Sequence, residues 1–129
     1  MDRNNSPADP PASAEENTCA CTVGGRIWIA SGERAFLGRG RVQLLELVEQ
    51  TGSVRQAARG MGMSYRNALR LIHTINARAA TPLVTLNQGG RGGGGAALTT
   101  YGHHAIAQYH HIEAQFNLFL AEHTAGLLL

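Results

Sequence analysis

Residues 53–79 read SVRQAARGMGMSYRNALRLIHTINARA, and this stretch decides the fold. Ser53 and Ser64 each precede a run with helical spacing, and a serine in that position accepts a hydrogen bond from an amide of the first turn. Between the two runs lies GMGM, whose two glycines we expect to end the first helix. The sequence therefore predicts a short helix, a tight turn and a longer helix from Tyr65 to about Ala79.

The apolar positions of the two helices favour a helix-turn-helix. The predicted buried faces are Val54, Ala57, Ala58 and Met61 in the first helix and Ala68, Leu69, Ile72 and Ile75 in the second. Small Ala58 lies four residues before Gly62, and apolar Ala68 lies six after it, which suits the close helix crossing of that motif. A plain bundle of three helices also has small residues at its crossings and remains the alternative at this point.

The flanking segments predict a winged version of the motif. A helix of about three turns is expected over residues 39–51, because Val42, Leu44, Leu45, Leu47 and Val48 have helical spacing. Residues 83–86 and 96–99 predict two strands of a hairpin around the glycine-rich stretch 87–95. Residues 26–30 predict one further strand, for which the hairpin is the candidate partner. The fold class is mainly α with a small β hairpin.

The C-terminal part predicts a long helix from Thr100 to about His123 that pairs with a second copy. Its apolar and small residues recur in steps of three and four, close to a heptad pattern. The candidate dimerisation residues are Ala105, Tyr109, Ile112, Phe116 and Phe119. A core of about 60 residues is too small to cover such a helix, so a homodimer is expected. Packing of the seam onto the chain's own domain is the alternative.

Three parts are predicted along the chain. Residues 1–22 are rich in Pro, Ala, Ser and acidic residues without periodicity, which is typical of a disordered tail. Residues 23–99 are the predicted winged helix-turn-helix domain, and residues 100–129 are the dimerisation helix and the end of the chain. There is no secretory signal and no apolar run of about 20 residues, which predicts a cytoplasmic protein without a membrane contact.

Positive charge is concentrated in the middle of the chain. Residues 39–91 contain eight arginines and two glutamates, whereas residues 92–129 contain two glutamates and no arginine. This distribution predicts an anionic partner for the middle segment. Arginine suits two-pronged contacts with phosphate and guanine, although a composition preference of the source genome gives the same absence of lysine.

The start of the third helix carries side chains that suit DNA. In helix-turn-helix motifs these residues reach base edges in the major groove, where Arg pairs with guanine and Asn with adenine, while Ser and Tyr contact phosphates. We expect Arg91 at the hairpin tip to contact the backbone or minor groove, with a floppy loop as the alternative. The candidate DNA-binding residues are Ser53, Arg55, Ser64, Tyr65, Arg66, Asn67, Arg70 and Arg91.

No set of residues predicts catalysis or metal binding. The histidine pairs 103/110 and 104/111 are two turns apart, about 10 Å on a helix, and no pair has the i, i+4 spacing of a helical metal site. No Ser/His/Asp set, carboxylate pair or Cys/His pair has a catalytic spacing. We therefore predict a protein that is not an enzyme and that needs no metal or cofactor.

Several motifs resemble the ModE family of molybdate-responsive transcription regulators. GGRGGGGAALTTYG at residues 89–102 is similar to the family's wing and following helix start, GGxGGGGAxLTxYG, and SYRNA at 64–68 is similar to its SY(K/R)xA recognition-helix opening. TGS at 51–53 with QAA at 56–58 resembles a helix start that ModE shares with LysR-type regulators. The resemblance covers about residues 24–124 and implies a winged helix with a long dimerising helix. It also implies DNA-facing positions for Ser64, Tyr65, Arg66, Asn67, Arg70 and Arg91.

The chain departs from that family in one respect. Full-length ModE proteins continue into β-rich molybdate-binding modules, and no segment before Leu129 resembles one. We therefore expect a DNA-binding half that does not bind molybdate. The predicted function is a homodimeric regulator that binds a palindromic operator in double-stranded DNA and controls genes of molybdenum transport or utilisation. The alternatives are a non-specific or architectural DNA-binding protein, and a small ligand or metal sensor or interaction module.

Overall fold

The computed structural model describes residues 20–87 and 95–129. Its elements are, in chain order, β1 (Ile29–Ser31), β2 (Arg34–Leu37), α1 (Arg39–Thr51), α2 (Val54–Met61), α3 (Tyr65–Arg78), β3 (Val84–Leu86), β4 (Ala96–Leu98) and α4 (Thr100–Ala125). The described residues divide into a larger unit, residues 26–87 and 95–116, and a smaller unit, residues 20–25 and 117–129. Most of the predicted disordered tail, with Cys19, and the predicted DNA contact Arg91 lie outside the described residues.

The predicted fold class is confirmed: three short helices, a hairpin and a long helix follow one another in the order of a winged helix-turn-helix. The serine caps also form as expected. The Ser53 hydroxyl accepts from the Gln56 amide at 3.1 Å, and the Ser64 hydroxyl accepts from the Asn67 amide at 3.1 Å. Each cap satisfies a backbone donor that would otherwise lack a partner at the start of its helix.

One detail of the turn between α2 and α3 differs from the prediction. Gly62 ends α2 in the left-handed conformation, with φ of 71°, but Gly60 lies inside the helix. A Cβ on Gly60 would lie 3.2 Å from Cδ1 of Leu47, tighter than ordinary contact. Gly60 therefore allows α2 to pack closely on α1 and does not terminate the helix.

The hydrophobic core of the larger unit is formed by α1, α2, α3 and both strands of the wing, with Leu37 of β2 and Tyr109 of α4. Its buried members are Leu37, Val42, Leu44, Leu45, Val48, Val54, Ala57, Ala58, Ala68, Ile72, Ile75, Leu83, Val84, Ala96, Leu98 and Tyr109. Three residues predicted on the buried faces, Leu47, Met61 and Leu69, are half-buried at its edge. The helical spacing of the apolar residues therefore identified most of the core in α1–α3.

The wing is a two-stranded antiparallel sheet in which Val84 pairs with Leu98 and Leu86 with Ala96. Asn76 of α3 fixes its first strand, because the side-chain carbonyl accepts from the amides of Leu83 (2.9 Å) and Val84 (3.1 Å). The side-chain NH2 of Asn76 donates to the Val84 carbonyl at 2.9 Å. One polar side chain thus ties the wing to the helix that precedes it.

The N-terminal segment contains a hairpin where a single strand was predicted. β1 pairs antiparallel with β2 in a sheet that is separate from the wing. Gly32 has φ of 64°, which lets the chain reverse between the strands. The prediction missed β2 because this strand is only four residues long and has no alternation of apolar and polar side chains.

A close backbone contact sets the start of α4. The Thr99 amide donates to the Leu83 carbonyl at 2.9 Å, and the Thr99 hydroxyl accepts from the Gly102 amide at 3.0 Å. A Cβ placed on Gly102 would overlap the carbonyl oxygen of Leu83 and lie 3.2 Å from a methyl of Leu98. Position 102 therefore has no room for a side chain. No helix among the described residues is long and apolar enough to span a membrane.

We expect Gly102→Ala to lower the free energy of unfolding by about 2 kcal/mol, because the backbone of α4 or of the wing must shift to admit the methyl group. Gly40→Ala is the matched control, since Gly40 lies in α1 with open space where a Cβ would be. The control should gain up to about 1 kcal/mol from the better helix propensity of alanine. Urea unfolding of the two variants measures both values, and equal values would contradict the close contact.

Candidate nucleic-acid interface

The side chains predicted to contact DNA lie at the starts of α2 and α3. Arg55, Ser64, Tyr65, Arg66 and Arg70 are exposed, whereas Ser53 and Asn67 are half-buried. The two serine hydroxyls cap their helices as acceptors and keep their own O–H for donation. The amides at both helix starts carry partial positive charge, which favours phosphate.

Two of these side chains meet across the turn. The guanidinium carbon of Arg55, on α2, lies 4.3 Å from the ring centroid of Tyr65, on α3. A cation in this position is attracted by the face of the ring, worth about 0.5–1 kcal/mol at an exposed site. The contact holds the charge of Arg55 beside the start of α3.

A second pair is formed within α3. The Asn67 side-chain carbonyl accepts from Nη2 of Arg70 at 2.6 Å, and its amide nitrogen lies 3.7 Å from Sδ of Met63. The amide group of Asn67 is therefore occupied within the protein, and adenine recognition requires it to exchange these partners. Arg66, by contrast, has no hydrogen bond or ion pair with any residue that the structure describes.

Carboxylates of the described residues do not neutralise the surface around these side chains. Helices α2 and α3 together contain five arginines and no acidic residue. The nearby carboxylates of α1 are used elsewhere, since Glu46 and Glu49 lie 2.6 and 3.6 Å from histidines of α4. Among ion pairs between two described residues, Arg39 is the only arginine involved, with Glu113 at 3.1 Å. The α2–α3 surface is therefore positively charged.

The histidines of α4 separate into two groups. His103 and His110 face the glutamates of α1, and His110 also lies 3.6 Å from Glu113. His104 and His111 are exposed. The described residues contain no group of three or more side chains placed to hold a metal ion. The hydrogen bond to Glu46 is the main cause that raises the pKa of His110 above its ordinary value.

The predicted dimerisation residues differ in their surroundings. Tyr109 is 2% exposed in the core of the larger unit, and its hydroxyl donates to Glu113 at 3.3 Å. Tyr109 therefore packs onto the chain's own domain, which was the alternative to a dimer seam. Ala105 and Phe116 are half-buried, whereas Ile112 and Phe119 are 46% and 51% exposed.

Two kinds of residue around the site were not predicted. Asn76, which anchors the wing, carries no signal in the sequence, because an asparagine inside a helix is most often a solvent-facing residue. Arg41 and Arg78 were counted in the positive charge of residues 39–91, but the sequence does not indicate which groups they contact. In the structure both donate to backbone carbonyls of β2.

Comparison with known proteins finds relatives in the family that the sequence motifs resemble, although no family model matches the chain. It is 42% identical over 76 residues to the molybdenum transport protein ModE of Azotobacter vinelandii, covering 59% of this chain and 28% of that protein. It is 45% identical over 80 residues to the molybdenum-pterin-binding protein MopB of Rhodobacter capsulatus, covering 62% and 30%. It is 38% identical over 77 residues to the DNA-binding transcriptional dual regulator ModE of Escherichia coli K12, covering 60% and 29%. The resemblance to ModE is thus confirmed, over less than a third of the length of these relatives.

We expect the contact of His110 with Glu46 to make stability depend on pH. Because the folded-state pKa of His110 is raised, its contribution is complete below the ordinary histidine pKa of about 6.5 and is lost as pH rises through the folded value. The effect should be a fraction of a kcal/mol, since both side chains are more than a third exposed and water screens the pair.

Thermal unfolding at about pH 6 and pH 8 measures this difference. The variant Glu46→Gln should lose part of the pH dependence, because it removes the carboxylate that stabilises the protonated imidazole. The variant His111→Gln is the control and should keep it, since His111 has no partner among the residues described. The same pH dependence in wild type and Glu46→Gln would rule the contact out as its source.

Proposed function

We propose that this chain is a sequence-specific DNA-binding regulator of transcription that acts on genes of molybdenum transport or utilisation. The observation that carries the proposal is the arginine surface on α2 and α3, which contain no acidic residue and in which Arg66 has no hydrogen bond or ion pair with any described residue. The names of the relatives, which include molybdenum transport protein and DNA-binding transcriptional regulator, support the two halves of this statement. The proposal needs no catalytic step and no cofactor, and it places the protein in the cytoplasm with the DNA.

The geometry of α3 suits insertion into the major groove, which is about 12 Å wide and admits one helix. Arg66 is the second residue of α3, and we assign it to a two-pronged contact with a guanine. Arg55 and Arg70 are already held by Tyr65 and Asn67, and we assign them to phosphates. Arg91 at the wing tip lies outside the described residues and stays a prediction.

We further propose that the protein binds DNA as a homodimer on a palindromic site. A two-fold dimer presents two recognition helices about one helical turn apart, which matches two half-sites on one face of the duplex. Ile112 occupies a position of the predicted heptad seam of α4, and its large apolar side chain is 46% exposed within its own chain, which leaves it available to a second copy.

The proposed function is tested by titrating the protein onto a ModE-type palindromic promoter fragment and onto scrambled DNA, at two salt concentrations, with and without molybdate. A preference of about 10³-fold or more for the palindrome supports a specific regulator. Equal and steeply salt-dependent binding to both DNAs indicates an architectural binder instead. No binding to either DNA favours a sensor or an interaction module, and a molybdate effect would contradict our expectation that the chain does not respond to it.

Replacing Arg66 with alanine should weaken binding to the palindrome by about 1–3 kcal/mol and reduce its advantage over scrambled DNA, because the variant cannot pair with the base. The control is Arg26→Ala, which removes one exposed positive charge outside the helix-turn-helix. It should leave the ratio of the two affinities unchanged. An equal loss on both DNAs for Arg66→Ala would show that Arg66 contacts a phosphate.

The dimer is tested with Ile112→Glu, which places a charge on the exposed apolar position of α4. We expect a shift from dimer to monomer in sedimentation velocity, because the interface would have to bury an unpaired carboxylate. His111→Glu adds the same charge at the neighbouring exposed position and should remain a dimer. A dimer in both variants would exclude Ile112 from the interface.

A further inference from the structure

Two arginines from different helices converge on the hairpin that was not predicted. Nη1 of Arg41, in α1, donates to the carbonyl oxygens of Ala35 (3.1 Å) and Phe36 (3.2 Å) in β2. Nη1 of Arg78, at the end of α3, donates to the same Ala35 carbonyl. Because both nitrogens are within hydrogen-bond reach of one oxygen, they are no more than about 6 Å apart.

This pair of like charges has no acidic partner among the residues that the structure describes. Neither Arg41 nor Arg78 forms an ion pair with any residue in ranges 20–87 and 95–129, and Glu33, the acidic residue of the same hairpin, is exposed. Partial burial lowers the pKa of the Arg41 guanidinium, and the charges of Arg78 and Arg70 lower it further. The surroundings of Arg41 therefore make its charge unfavourable, although the guanidinium stays protonated.

A purely structural role does not account for both charges. A clamp on β2 needs hydrogen-bond donors, which a neutral side chain also supplies, whereas two adjacent cations repel each other. Each guanidinium has five N–H groups, and the carbonyls of β2 use only a few of them. Donors and positive charge therefore remain available for an oxyanion.

We propose that Arg41 and Arg78 form an anion site at β2 that takes a backbone phosphate of DNA. The proposal rests on the proposed function, because it extends the interface of α3 beyond its first turns. Arg78 is 12 residues after Arg66, about 18 Å along the helix, so the site holds a phosphate away from the base pair that Arg66 contacts. The site adds affinity and orientation and reads no base.

The test uses Arg78→Gln and Arg41→Gln in binding titrations on the palindromic and scrambled fragments over a series of salt concentrations. Each variant should weaken binding to both DNAs by the same factor. The slope of log affinity against log salt should become shallower by up to about 0.9 per protomer, or about 1.8 for the proposed homodimer, because each variant weakens one phosphate contact in each protomer. Arg26→Gln is the matched control and should leave the slope unchanged. Wild-type slopes in both site variants would overturn the proposal.

Lysine variants and unfolding measurements separate binding from folding. Arg78→Lys keeps the charge and should keep most of the salt slope, even if Arg78→Gln does not fold. Inorganic phosphate should raise the melting temperature of wild type more than that of Arg78→Gln, because it binds the folded state. An equal rise in both proteins would count against an anion site at β2.

The outcomes distinguish this proposal from the proposed function. If wild type binds neither DNA, the proposed function fails, and so does the assignment of a DNA phosphate as the ligand of the anion site. A phosphate-dependent rise in melting temperature that Arg78→Gln abolishes then assigns the site to a free phosphate. If wild type prefers the palindrome and the salt slope does not depend on Arg41 or Arg78, the proposed function stands and the anion site is refuted.

Discussion

The close approach of Gly102 to the Leu83 carbonyl fixes the point where the long helix leaves the wing. Thr99 completes this junction, because its amide donates to Leu83, its hydroxyl donates to Pro82 and the same oxygen accepts from the Gly102 amide. The first turn of α4 is thereby fixed to both ends of the hairpin. The direction of this turn brings His103 and His110 against α1, and the wing strands complete the core on which α2 and α3 pack. A small shift of the backbone at this junction would therefore affect the core and the α1–α4 contacts together.

Folding also decides where the positive charge of the chain remains. The carboxylates of α1 and α4 are engaged at the contact between these helices, where Glu113 alone interacts with Arg39, Tyr109 and His110. Helices α2 and α3 have no carboxylate of their own. A nearly neutral chain, with a formal net charge of +2, thus acquires one strongly basic face. This separation combines the clustering of arginines in residues 39–91 with the fold, which turns Glu46 and Glu49 of α1 toward the histidines of α4.

Local signals account for what the sequence could predict. Ser53 and Ser64 determine the helix starts because a cap needs only the amides of the next turn, and the apolar spacing defines the inner faces without knowledge of the partners. The missed features depend on contacts between distant segments: β2 needs β1 and the arginines of two helices, and Gly60 is helical because Leu47 packs over it. Tyr109 fits the heptad spacing of a dimer seam, yet it is buried in its own chain, since spacing alone does not identify the surface that a helix covers.

The hydrogen bond between Asn67 and Arg70 couples the effects of substitutions at these two positions. A replacement of Asn67 by a residue without a side-chain carbonyl releases Arg70 to other rotamers, so one substitution alters two surface groups at once. Arg66 has no such tie to any described residue and can be exchanged alone. In the proposed interface, a change at position 66 should therefore act independently, whereas the effects of changes at 67 and 70 should be coupled. Among chains of this kind, residues 67 and 70 should vary together.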